Sequence, residues 1–210
     1  MLKHLENLRQ WLKGELKTDS ISRILYSTDA SAYREEPLAV FIPCEDYEND
    51  IRLLLQFCKD HNTFIIPRAA GTSLAGQVVG KGIVVDVSKN LNKIIEINEK
   101  EHWVRVQPGV VLEELNRSLK PYGLFFGPET STANRCCIGG MVGNNSCGLH
   151  SLVYGSVREH LLEAEVILAD GNKVLLKQLS KEEFENKTLQ NDLEGKIYKY
   201  IASVYSKQEI

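Results

Sequence analysis

At the end of the apolar run TFII (63–66), residues 66–77 read IPRAAGTSLAGQ, and this stretch narrows most what the chain can become. Ala69, Ala70, Gly71, Ala75 and Gly76 carry almost no side chain, yet Arg68, Thr72 and Ser73 are kept among them. Something approaches this backbone closely. Gly71 and Gly76 have the separation of a Walker loop, but Gln77 and Val78 stand where Lys and Ser or Thr are needed, and no GxGxxG is present. An NTP-hydrolysing loop and the usual nicotinamide-dinucleotide fingerprint are both excluded. Two readings remain open: a tight structural loop, or a strand exit whose amides face an anion with Thr72 and Ser73 as hydroxyl donors. Arg68 is either the countercharge or an ordinary surface ion pair.

The flanking pattern is that of an α/β unit. LAVFIP (38–43), TFIIP (63–67) and GIVVDVS (82–88) read as strands, and Ile51, Leu54, Leu55 and Cys58 mark a helix between the first two, as in a right-handed crossover. Ahead of them, Leu2, Leu5, Leu8, Leu12 and Leu16 recur at helical spacing, predicting a helical lead-in over residues 1–33. Past Ser88 the period changes. KIIEIN (93–98) and HWVRVQPG (102–109) alternate and predict an antiparallel hairpin, followed by a helix in 110–123 that Pro121 and Gly123 stop. A second hairpin is predicted around Asp170-Gly171-Asn172, and residues 194–210 show helical spacing at Ile197, Tyr200, Ile201 and Val204 without a stop signal. The expected class is therefore α+β: a first subdomain over 34–88 and a second over 89–210, with the polypeptide cut before a further domain.

Between the strand-rich portions lies a second small-residue run, IGGMVGNNSCG (138–148), with GPETSTAN (127–134) ahead of it. Glycines here let a planar ligand lie against main chain, because a Cβ would occupy its volume. One phosphate needs one such loop. Two far-separated loops suggest an elongated ligand such as a dinucleotide.

These blocks, together with VQPGV (106–110) and YGSVREHLLEAEVILADG (154–171), in this order, resemble the FAD-binding domain of FAD-linked oxidases, the vanillyl-alcohol-oxidase or para-cresol-methylhydroxylase (PCMH-type) superfamily. The likeness is strongest to the D-lactate dehydrogenase, glycolate oxidase subunit and D-2-hydroxyglutarate dehydrogenase branch, whose large bacterial members add a substrate (cap) domain and an iron–sulfur domain. The resemblance implies two α+β subdomains with FAD extended between them. It implies that the backbone of Ala69, Ala70, Gly71, Thr72, Ser73 and Leu74 holds the pyrophosphate, with Arg68 among the cofactor-binding residues. Gly76, Gln77, Pro128, Thr130, Gly139, Gly140, Gly143, Asn145, Ser146 and Gly148 would line the ribityl and isoalloxazine parts, and main chain near Val166 would meet the adenine. Hydride would pass from a 2-hydroxy acid to flavin N5, and electrons would leave to an acceptor or an iron–sulfur domain later in the full-length chain. Arg68, Ala69 and Ala70 occupy the positions of a covalent histidine link, so the expected FAD is non-covalent. The acid, base and carboxylate anchors of the family lie in a later domain, so no catalytic residue and no metal ligand is assigned here. A non-catalytic FAD- or nucleotide-binding module, or an oxidase of another alcohol, is the alternative.

Composition fits an ordinary globular protein. Formal net charge is −3, which gives no electrostatic case for nucleic acid. No apolar run nears the roughly 20 residues that span a bilayer, so no integral membrane segment is expected. The five cysteines are odd in number and form no CxxC, so reduced thiols in the cytoplasm, with peripheral membrane association open, are expected. Cys147 and His150 could be read as a nucleophile and its base, but the bland reading is a small residue beside a cofactor. Adjacent Cys136 and Cys137 read as small buried hydrophobes.

Overall fold

Leucine spacing alone carries a helix through Leu16, but in the computed structural model, which describes residues 1–208 and side chains as far as Tyr205, helix α1 (Leu2–Arg9) stops early. The reason lies 36 residues away. The fully buried Asp50 carboxylate accepts the amides of Lys13 at 3.1 Å and Gly14 at 2.8 Å, pulling this backbone out of the helix. Leu16 is buried instead from strand β1 (Glu15–Lys17). A short helix α2 (Ser20–Leu25) follows, started by the Asp19 side chain accepting from the Ser22 amide.

Strand β2 (Ala39–Ile42), helix α3 (Glu48–Asp60), strand β3 (Ile65–Arg68) and strand β4 (Ile83–Asp86) fall where the apolar runs predict them. The sheet order is β1-β2-β4-β3, with β4 parallel to both neighbours and β1 antiparallel on the edge. Val40, Ile66 and Val84 form its buried centre, and α3 buries Ile51, Leu54, Phe57 and Cys58. Continuous burial on β2 and β4 explains why their sequences read as unbroken apolar runs. In the β3–β4 register Arg68 stands beside Asp86, so both strands end together where the small-residue loop departs.

The hairpin β5 (Ile94–Asn98) and β6 (Trp103–Val106) is antiparallel, and helix α4 (Leu112–Leu119) ends in a 3₁₀ turn closed by Gly123 at φ 68°. Residues 138–148 are not a loop throughout. Ile138–Asn144 form helix α5, because Ile138 and Met141 bury one face in a core with Leu112, Leu115 and Val157. Asn145, left-handed at φ 46°, closes that helix, and short helices α6 (Ser151–Tyr154) and α7 (Val157–His160) follow.

The chain forms two compact units, residues 1–160 and 161–210. The second contains the antiparallel pair β7 (Glu163–Ile167) and β8 (Lys173–Lys177), with Gly171 at φ 85° in the turn. Its helices are α8 (Lys181–Thr188), which carries a capping box between Ser180 and Glu183, and α9 (Leu193–Gln208). In α9 the buried residues are Glu194, Gly195 and Tyr198, while Ile197, Tyr200 and Val204 of the expected stripe are exposed; the last two residues of that stretch lie outside the described residues. Among the described residues no helix is long and apolar enough to cross a membrane.

Candidate functional site

The loop after β3 is anchored at its start, where Val87 donates its amide to the Arg68 carbonyl at 2.9 Å. Beyond that, Gly71 and Gly76 both adopt positive φ, 69° and 71°, a conformation that costs a residue with a Cβ about 1 kcal/mol. Ser73 Oγ accepts from the amides of Ala75 at 3.3 Å and Gln77 at 3.4 Å and pairs with the Gln77 side chain. Among the described residues the amides of Gly71, Thr72, Ser73 and Leu74 donate to no protein acceptor. Leu74 is 80% exposed. Free successive amides at a parallel strand's carboxyl end suit an anion.

The second small-residue stretch meets the first. Gln77 Nε2 donates to Asn144 Oδ1 at 3.0 Å, and Ala70 and Cys137 line one cavity. A Cβ on Gly140 would stand 3.4 Å from Ala69 Cβ, so the start of the loop and α5 face each other. The glycines of residues 138–148 divide by cause. Gly139 is packed on Pro108 and Gly148 on the Glu129 carbonyl, so there the fold itself excludes a Cβ. Gly143 has nothing within 4 Å of its missing Cβ, which leaves open space beside the helix.

The remaining expected residues are placed as follows. Pro128 is buried, and Thr130 Oγ1 lies 3.2 Å from both Thr132 Oγ1 and Cys136 Sγ. Asn145 Oδ1 accepts from Ser156 Oγ and the Arg158 amide, both at 2.9 Å, while buried Ser146 Oγ accepts from Asn144 at 3.1 Å. Val166 lies on β7 in the second unit, opposite Val174. His150 Nδ1 is 2.6 Å from Glu129 Oε2, and no contact joins it to the exposed Cys147 among the described residues.

A cavity of about 470 Å³ flanks Ala69 and Ala70, with Arg68, Tyr26, Asp86 and Arg135 on its walls. Here Arg68 turns inward: Nη1 donates to the Tyr26 carbonyl at 3.3 Å and the guanidinium lies 5.3 Å from the Tyr26 ring centre. The Tyr26 hydroxyl donates to Asp86, which is 2% exposed and also accepts the Ser88 amide at 2.8 Å and Ser88 Oγ at 2.6 Å. Burial first, and the bond to Asp86 second, hold the Tyr26 phenol well above its ordinary 10.0. Burial likewise raises the Cys137 thiol to about 11, so it is protonated at neutral pH. Tyr26 and Asp86 carry no motif, and sequence reasoning missed both. The only local signal was an acidic residue ending an otherwise apolar strand.

A family described as FAD binding domain matches residues 37–176. The D-2-hydroxyglutarate dehydrogenase of Pseudomonas putida is 40% identical over 172 residues, covering 81% of this chain and 17% of that protein. The glycolate oxidase subunit GlcD of Bacillus subtilis is 37% identical over 152 residues, covering 71% of this chain and 32% of that protein. The chain thus spans between a sixth and a third of the length of these curated relatives. Among solved structures, an alkyldihydroxyacetonephosphate synthase superposes with a TM-score of 0.72 at 19% identity, covering 84% of this chain and 35% of that one, a likeness of fold.

Proposed function

From the premise that this chain belongs to the FAD binding domain family, we propose that it is the FAD-holding portion of an oxidoreductase acting on a small 2-hydroxy acid of the D-2-hydroxyglutarate, glycolate or D-lactate type. One observation supports the placement of the cofactor most. The four unpaired amides of residues 71–74 lie in the loop that meets α5 on either side of them, at Ala69 against Gly140 and at Gln77 bonded to Asn144. The residues present fit the group. Free amides suit a pyrophosphate, and the missing side chain at Gly143 leaves room for a planar ring system next to main chain.

FAD, when bound, supplies a hydride acceptor at flavin N5. The chain's own share is binding and orientation. Amides of Ala69–Leu74 would hold the phosphates, the Gln77–Asn144 bond fixes the loop against α5, and Gly76, Pro128, Thr130, Gly139, Asn145, Ser146 and Gly148 shape the wall around them. Arg68, Ala69 and Ala70 provide no group for a covalent tether, so the FAD is held non-covalently. The base that takes the substrate hydroxyl proton and the cations that hold its carboxylate belong to polypeptide beyond these residues, as do the electron acceptor and any iron–sulfur centre. The cytoplasm is the compartment we propose.

The test is anaerobic reduction of the full-length flavoprotein against a panel of D- and L-2-hydroxy acids. The expected result is bleaching of the flavin bands by one acid with strong stereochemical preference. Binding of FAD with no acid able to bleach it would favour a module that holds the cofactor without oxidising a hydroxy acid.

A further inference from the structure

We infer that residues 26–33, which precede the family match, are part of the cofactor site: they form a strap that holds loop 69–76 in its ligand-ready shape, with Tyr26 and Tyr33 as positioning residues. The inference rests on the reading of that loop as the holder of the pyrophosphate.

The strap touches the loop at three places. The Ala30 amide donates to the Gly71 carbonyl at 3.1 Å. The Tyr33 ring lies over Gly76, where a Cβ would stand 2.6 Å from Cδ2. Tyr26 holds the Arg68 guanidinium through its carbonyl and its ring, and that guanidinium covers Gly71, where a Cβ would stand 2.5 Å from Nη2. Each of the two positive-φ glycines is therefore covered by a side chain that belongs to the strap or is held by it.

The strap is itself closed into a firm turn. Ser31 donates its amide to Asp29 Oδ1 at 2.8 Å, Tyr33 donates to Ser31 Oγ at 3.1 Å, and Glu35 donates to the Ser27 carbonyl at 2.9 Å. By contrast, the bonds that the amides of Ala75, Gln77 and Val79 make to Ser73 Oγ and to the Gly76 carbonyl run from 3.3 to 3.5 Å. A loop with long internal bonds and two glycines has many accessible conformations, and an external brace reduces their number. Affinity for an anion at the amides of 71–74 depends on that prior ordering.

The test uses Tyr33, which is 63% exposed, so Tyr33→Ala leaves the core intact. FAD and riboflavin affinities of the 210-residue chain are measured by flavin fluorescence, beside apo thermal unfolding. Tyr33→Ala is expected to raise the FAD dissociation constant about tenfold, the equivalent of about 1.4 kcal/mol, with riboflavin affinity and apo melting temperature unchanged. Tyr33→Phe, which keeps the ring, restores FAD affinity. Equal FAD binding by wild type and Tyr33→Ala overturns the inference alone, as does parallel weakening of FAD and riboflavin, which signals general damage. A wild-type chain that binds no FAD overturns the underlying reading and the strap with it.

Discussion

Replacing Tyr26 with Phe removes one oxygen and tests the polar pair beneath the loop. The ring over Arg68 stays, so the cation–π contact at 5.3 Å is kept. What is lost is the hydroxyl that donates to Asp86, a carboxylate 2% exposed whose other oxygen is already engaged by Ser88. A hydrogen bond to a charged group is worth about 1.5–3 kcal/mol, and an unpaired buried oxygen places this one near the middle, about 2 kcal/mol. That is roughly thirtyfold in the unfolding equilibrium and about 4–8 °C in melting temperature for a chain of this size. Trp11 and Trp103 both lie in residues 1–160, so tryptophan fluorescence during urea or thermal unfolding reports on the relevant unit. The pH dependence supplies a second check. Folding raises the Tyr26 phenol above its ordinary 10.0, so its contribution is whole below about pH 10 and is lost as pH climbs through the raised value. The gap between wild type and Tyr26→Phe should therefore be constant near neutrality and narrow in strong base. A variant within 0.5 kcal/mol of wild type, on the order of surface-substitution scatter, or a gap indifferent to alkali, would refute the reasoning.

Two glycines of one stretch should respond in opposite directions. Gly143→Ala meets open space inside α5 and should stabilise the apo chain by about 0.5–1 kcal/mol while weakening FAD binding, as read by paired unfolding and flavin titrations. Gly148→Ala drives a Cβ into the Glu129 carbonyl and should cost about 2 kcal/mol or more in urea unfolding. The thiols should also sort by environment. At pH 7 exposed Cys147 should alkylate quickly, whereas Cys58 and Cys137, both buried and raised to about 11, should label only after unfolding, as site-resolved mass spectrometry would show.

Much of the fold was legible because it is written locally. Strands β2, β3 and β4 are apolar runs, the first hairpin alternates, and Asp170-Gly171 marks the turn of the second. What the sequence hid depends on distant partners. Lys13 and Gly14 look helical until Asp50 arrives from α3, and only then does Leu16 become a strand residue paired with Phe41. Glycine density in 138–148 argues for a loop, but burial of Ile138 and Met141 overrides that propensity and makes a helix. The same holds at the site. The two small-residue stretches announce themselves, and the structure joins them through Gln77 and Asn144. Their braces do not: Tyr26, Ala30 and Tyr33 belong to no motif, and their role exists only once Arg68, Gly71 and Gly76 lie beside them.

The central claim is that the free amides of 71–74, in the loop joined to α5 at Ala69 and Gln77, form one end of an FAD site. Its most direct test is titration of the apo chain with FAD, followed by flavin fluorescence and by the visible absorbance bands. The account predicts saturable binding of one FAD per chain, with perturbed flavin bands and weakening by inorganic pyrophosphate as competitor. Flavin fluorescence and absorbance that stay those of free FAD throughout the titration would contradict it.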